Sequence, residues 1–149
     1  MFVSRLKKLL VGVLILLPVA HVAQADGSAP FLDGYSPVSY FTVNMAEKGS
    51  EEFPVSHKGR VYYLTSAKQV ELFNKTPDKY SPKFDVCPYS LTLGKVLPLD
   101  PMNFKVFGNS LLLFHKSDAG DGRAAWESSD LNDDELIKLA NKQFNLLKF

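Results

Sequence analysis

The sequence predicts a small α+β domain, and three observations carry that expectation. Two pairs of β-favouring segments each flank a turn dipeptide, Phe53-Pro54-Val55 with Val61-Tyr62-Tyr63-Leu64 around Lys58-Gly59, and Phe104 to Phe107 with Leu111 to Phe114 around Gly108-Asn109. A capped apolar stripe closes the chain from Asn132 onward. The expected architecture is two β-hairpins, a short helix packed on the first, and a C-terminal amphipathic helix.

From the N-terminus, Met1 to Lys8 carries Arg5, Lys7 and Lys8 without an acid and runs into the apolar stretch Leu9 to Leu17. Pro18 breaks that run, and Ala23-Gln24-Ala25 offers small residues at both positions that signal peptidase reads. Residues 1–25 are therefore expected to be a cleaved export signal, with the cut before Asp26. The apolar run is shorter than the roughly 20 residues of a spanning helix, and no cysteine adjoins the cut to take a lipid. The expected product is a domain over 26–149, periplasmic or secreted, with no stable membrane insertion.

Its charge excludes one class of partner. The whole chain has 17 basic and 16 acidic residues, and removing 1–25 takes away three basic residues and no acidic one, leaving a net of −2. No basic patch for nucleic acid is implied. A domain of this length buries one core without disulfides, which matters because Cys87 is the only cysteine. It is a buried thiol, a metal ligand, a reactive thiol or half of an intermolecular bridge.

Within 26–149, Phe31 to Phe41 reads as a turn and a short packed segment, and Asn44 to Glu52 as an exposed polar loop. The first hairpin follows. Ser66, with Gln69 three residues on, forms a capping-box pattern ahead of Ala67, Val70 and Phe73 at helical spacing. Thr76-Pro77 starts one more helical turn. Beyond Pro82 the chain reads as irregular through Cys87-Pro88-Tyr89.

In the second hairpin, Leu111 to Phe114 is apolar on both faces, which points to a central strand. Asp118 to Asp121 reads as a loop. Asn132 and Glu135 form a second capping box before Leu136, Ile137, Ala140, Phe144 and Leu147. The acids from Asp130 to Glu135 lack the spacing of a calcium loop and suit a helix N-terminus. No repeat or linker divides the domain.

Three segments in this order resemble the YHS domain family, more closely its exported bacterial branch. They are Gly34-Tyr35-Ser36-Pro37-Val38-Ser39-Tyr40-Phe41; His57 to Ser66 continuing through Phe73 to Pro77-Asp78-Lys79-Tyr80; and Tyr80-Ser81-Pro82 with Cys87-Pro88-Tyr89, the Leu111 to Phe114 strand and Trp126. The resemblance implies a treble-clef-like hairpin-helix core and a role in metal homeostasis, since family members occur beside or within copper transporters. Where metal-binding members carry two cysteines, this chain has Ser39 and Thr65, hydroxyls that are poor soft-metal ligands. Asp85 and Val86 stand where the exported branch tends to have a glycine pair.

The nitrogen and sulfur donors left after the signal are His57, Cys87, His115, Met45 and Met102. Thiolate and thioether favour Cu(I), and imidazole accepts either copper state; four closely spaced Cys or His ligands for structural zinc are not available. The expectation is an accessory protein binding a metal ion, Cu(I) before zinc, through Cys87 with His57 and His115 and without turnover, its partner the ion or a metal-transport protein. His57 also fits an exposed turn residue and His115 a strand end.

Two alternatives stay open. One is a metal-free ligand- or protein-binding module using Tyr35, Tyr40, Tyr62, Tyr63, Tyr89 and Trp126, aromatics that also fit a core. The other is a thiol enzyme in which His57 or His115 activates Cys87, although Pro88 offers no N–H for an oxyanion.

Overall fold

The computed structural model describes residues 29–147. The expected export signal over 1–25 and its cleavage point lie outside them. The chain opens with a 3-10 turn, Phe31–Gly34, and a short helix α1, Ser39–Thr42. Strands β1 (Ser50–His57) and β2 (Arg60–Leu64) pair antiparallel, with Val55 opposite Tyr62 and His57 opposite Arg60. Lys58 and Gly59 both take left-handed backbone, φ +49° and +75°, the geometry of a primed turn that matches strand twist. The first strand starts earlier than expected. A bulge between Ser50 and Pro54 lets Ser50 pair with Leu64, so the polar loop yields its last residues to the ladder.

Helix α2 (Ala67–Lys75) is capped by Ser66, whose side chain accepts from the Gln69 N–H. The expected capping box is only half formed, because the Gln69 side chain turns into the core instead of back to Ser66. Helix α3 (Pro77–Tyr80) starts on its proline as expected. The segment expected to be irregular contains a further short helix, α4 (Pro88–Thr92), with Pro88, Ser90 and Leu91 buried. No side-chain cap announces it, and packing holds it.

Strands β3 (Phe104–Phe107) and β4 (Ser110–Leu113) form the second hairpin, with Gly108 at φ +56°. The expected acidic loop is instead a miniature ladder of β5 (Lys116–Ser117) and β6 (Gly120–Asp121). It leads into α5 (Gly122–Glu127), capped by Asp121. Helix α6 (Asp133–Leu146) has the complete Asn132–Glu135 capping box. The α+β class and both predicted hairpins are present, as three separate two-stranded ladders.

Strand β4 explains why its sequence is apolar on both faces. Successive side chains of a strand point to opposite sides, and here each side meets a different core. Leu111 and Leu113 pack with Tyr40, Tyr62, Leu64, Phe73 and Tyr80. Leu112 and the following Phe114 pack with Phe84, Cys87, Leu91, Trp126, Leu136 and Ala140. On its second edge Leu111 bridges Pro82 and accepts the Lys83 N–H. The strand is central to the molecule while belonging to a two-stranded ladder. Among the described residues, no helix is long and apolar enough to cross a membrane.

Candidate functional site

The three predicted donors fall on two sides of the β4 partition. His57 ends β1 beside the first turn, where its Nε2 lies 2.9 Å from Asp78 Oδ1 and its ring meets Phe73 edge-on. The Lys58 ammonium, then the His57 ring, hold the Asp78 carboxyl below its ordinary value. This surface cavity, about 280 Å³, is also lined by Arg60, Lys83 and Asp85. Cys87 and His115 line a different cavity of about 360 Å³ between α4, the connection from α4 to β3, and the β5–β6 turn. Met45 and Met102 are exposed and line neither.

Cys87 sits at the N-cap of α4 and is only 1% exposed. Its N–H donates to the Leu97 carbonyl at 2.9 Å, and its carbonyl accepts the Ser90 hydroxyl at 2.8 Å. The thiol packs on Gly122. A Cβ at Gly122 would stand 2.9 Å from Cys87 Sγ and 3.2 Å from the His115 carbonyl oxygen, so glycine is needed there for space.

His115 follows β4, and its ring Nδ1 lies 3.1 Å from the Pro98 carbonyl oxygen. A carbonyl can only accept, so geometry assigns the proton to Nδ1 and leaves the Nε2 lone pair free in the neutral ring. Metal-ligating histidines commonly carry this kind of support, the second nitrogen donating to a backbone carbonyl.

The turn holding His115 is fixed by residues that sequence reasoning missed. Asn103, buried, donates through Nδ2 to Asp121 Oδ1 at 2.9 Å and to the His115 carbonyl at 3.3 Å. Asp121 Oδ1 also accepts the Arg123 and Ala124 N–H groups at 2.9 and 3.2 Å, and Oδ2 meets Lys116 Nζ at 3.3 Å. The Asn103 hydrogen bond first, then the Ala124 N–H, draw the Asp121 carboxyl down to about 2 against a partial desolvation penalty. Aspartate just before a glycine-led helical segment is an N-cap signal that could have located Asp121. Nothing local marks Asn103, whose side-chain partners are distant in sequence.

Around Cys87, the Gly122 N–H donates to the His115 carbonyl and the Arg123 and Ala124 N–H groups to Asp121; Pro88 has no N–H, and no side chain caps the Tyr89 and Ser90 N–H groups in the first turn of α4. Among the described residues no group of three or more His, Cys, Asp or Glu side chains is placed to hold a metal ion.

No family model, curated protein or solved structure matches this chain. Its own geometry gives the Ser39 hydroxyl and the Thr65 backbone N–H a common partner, Gln69. Gln69 Nε2 donates to Ser39 Oγ at 2.9 Å, while Gln69 Oε1 accepts the Thr65 N–H at 3.0 Å and the Ser36 hydroxyl at 2.6 Å. Ser39 Oγ in turn donates to Glu47 Oε2 at 2.7 Å. One buried carboxamide thus ties α1, the end of β2 and the start of α2 together, and no buried side-chain nitrogen or oxygen among the described residues lacks a partner.

Proposed function

We propose that the protein is an exported accessory protein, periplasmic or secreted, that holds a single Cu(I) ion as cargo between Cys87 and His115 on a YHS-like, treble-clef-like frame, without turnover. The observation that carries this reading is the meeting of the thiol and the imidazole at one cavity, with His115 Nδ1 engaged by the Pro98 carbonyl so that Nε2 is the available donor. A thiolate and an imidazole suit soft, monovalent copper, which accepts two ligands, whereas a structural zinc site takes four. His57 lies on another cavity with Asp78 and is left out of the ligand pair. The YHS-like frame is supported by the observed order of hairpin, helix and later cysteine segment.

The test is a titration of the reduced protein with Cu(I) and with Zn(II) against a competing chelator. Binding of Cu(I) tighter than about micromolar is expected, lost by about 100-fold in Cys87→Ser, weakened about tenfold in His115→Gln, and unchanged in His57→Gln. Binding weaker than micromolar, or an unaltered Cys87→Ser, overturns the reading.

A metal-free binding module is the second reading, and the Gln69 network favours it. Where the resembling family uses two thiols, this chain closes the same region with hydrogen bonds, a frame that needs no metal for its stability.

A further inference from the structure

The mouth of the Cys87–His115 cavity carries a surface that copper holding does not use. The connection from α4 to β3 leaves Leu93, Val96 and Leu97 in water at 56%, 45% and 39% exposure. Leu93 and Leu97 line the cavity with Tyr89, Ala119 and Ala125. These side chains are exposed on a backbone that is tied down. Gly94 N–H donates to Leu91 O and Lys95 N–H to Ser90 O, both at 2.9 Å. Leu97 N–H donates to Ser90 Oγ at 3.2 Å, and its carbonyl accepts the Cys87 N–H. Gly94 at φ +67° supplies the left-handed residue that turns the chain after α4. A clustered apolar surface on held backbone, next to a concave pocket, has the form of a preorganised docking site.

Charge indicates the occupant. Lys95 lines the same mouth, and no carboxylate lies within ion-pairing distance of it among the described residues. The carboxylate in the cavity wall, Asp121, is already taken up by Asn103, Arg123, Ala124 and Lys116. The mouth is therefore an apolar rim around one unneutralised cation. Leu93 and Leu97 line the cavity and are also exposed at 56% and 39%, so apolar surface continues from the cavity out to solvent, past what a small ligand inside it would cover. That favours a polypeptide over a small amphipathic acid.

We propose that this mouth docks a protein partner that places one apolar side chain, leucine or methionine in size, in the cavity and a carboxylate against Lys95. This names the partner of the site assigned above and rests on the copper reading only for what the two proteins share. The docking contacts themselves require no metal.

The test is an NMR titration of the reduced, metal-free exported protein with two short synthetic peptides. Both have a Leu-Met-Leu centre, flanked by glutamates in one and by lysines in the other. The glutamate peptide should move amide signals within 89–97 and 115–125 and bind at least about tenfold tighter than the lysine peptide. Lys95→Glu, an exposed change that leaves the core intact, should reverse that preference, and Leu93→Asp should abolish binding. Equal binding of the two peptides, shifts centred elsewhere, or no saturation by the glutamate peptide in the millimolar range overturns the proposal. Octanoate producing the same shifts at lower concentration than the peptide also overturns it, assigning the mouth to a small carboxylate. Peptide docking without Cu(I) binding would remove only the copper reading, and Cu(I) binding without docking only the partner.

Discussion

The two cores that β4 separates are closed by different means. On the Leu111–Leu113 side, the N-terminal turn, the first hairpin and α2 meet around Gln69, whose amide joins three hydroxyl or backbone groups, with Glu47 at the edge. On the Leu112–Phe114 side, carboxylates hold the joints. Asp121 caps α5 and fixes Asn103, and Asp133 accepts from Trp126 Nε1 at 2.7 Å while pairing with Lys105 at 2.8 Å. The first side has its polar groups internally matched. The second retains a cavity beside a buried thiol. The first side keeps its carboxylates, Glu47 and Asp78, at its edge, whereas the second uses Asp121 and Asp133 at the joints between its elements, so acid is expected to loosen the second side first.

That contrast can be attacked through its two tightest glycines. A Cβ at Gly49 would overlap the Tyr63 carbonyl, which is backbone and cannot rotate away. Gly49→Ala should be the most damaging single change considered, costing about 4 kcal/mol or more by chemical denaturation, in the range reserved for forced rearrangement of packed backbone. A loss under about 1 kcal/mol would mean that β2 gives way and that the first side is not rigid.

Gln69→Leu comes next. It keeps the volume but leaves the Ser36 hydroxyl and the Thr65 N–H without their acceptor and takes from Ser39 Oγ the hydrogen bond it accepts, its bond to Glu47 remaining, at an expected cost of about 2–4 kcal/mol. If denaturation midpoints hardly move, the network is not what closes the first side.

Gly122→Ala should cost less, about 1–3 kcal/mol, because the added methyl meets a side-chain sulfur as well as the His115 carbonyl. In a Cys87→Ala background much of that cost should vanish, since the sulfur is gone. Additive losses in this double-mutant cycle would show that the glycine and the thiol do not press on one another.

Acid supplies the gentlest probe and has a defined sign. The Asp121 carboxyl is drawn from 3.8 to about 2 in the folded protein. A depressed acid contributes stability that is fully present above its unfolded value and disappears as pH falls through the folded one. Asp133 adds in the same sense. Burial opposes its ionisation, but the hydrogen bonds from Lys105 and Trp126, with the Lys105 charge, more than offset that and lower its titration. Trp126 is the only tryptophan and lies on this second side. Its fluorescence should therefore report loosening between about pH 3.8 and 2, before amide exchange at α2 increases. Simultaneous changes on both sides would erase the distinction drawn here, and Asp121→Asn should flatten the acid slope.

The sequence alone determined whatever depends on neighbours along the chain. The turns at Lys58-Gly59 and Gly108-Asn109, the proline start of α3, the Asn132–Glu135 box and the α+β class all rest on short-range sterics and periodicity, and all are present. Tertiary structure alone decided the rest. It made α4, which is short, has no side-chain cap and takes its order from burial. It turned Gln69 from a capping residue into a buried tie, and sent the two faces of β4 into different cores. It brought Cys87 and His115 to one cavity while leaving His57 with Asp78. Those outcomes hinge on which distant groups need a hydrogen-bond partner or a space to fill, and linear spacing carries no measure of that.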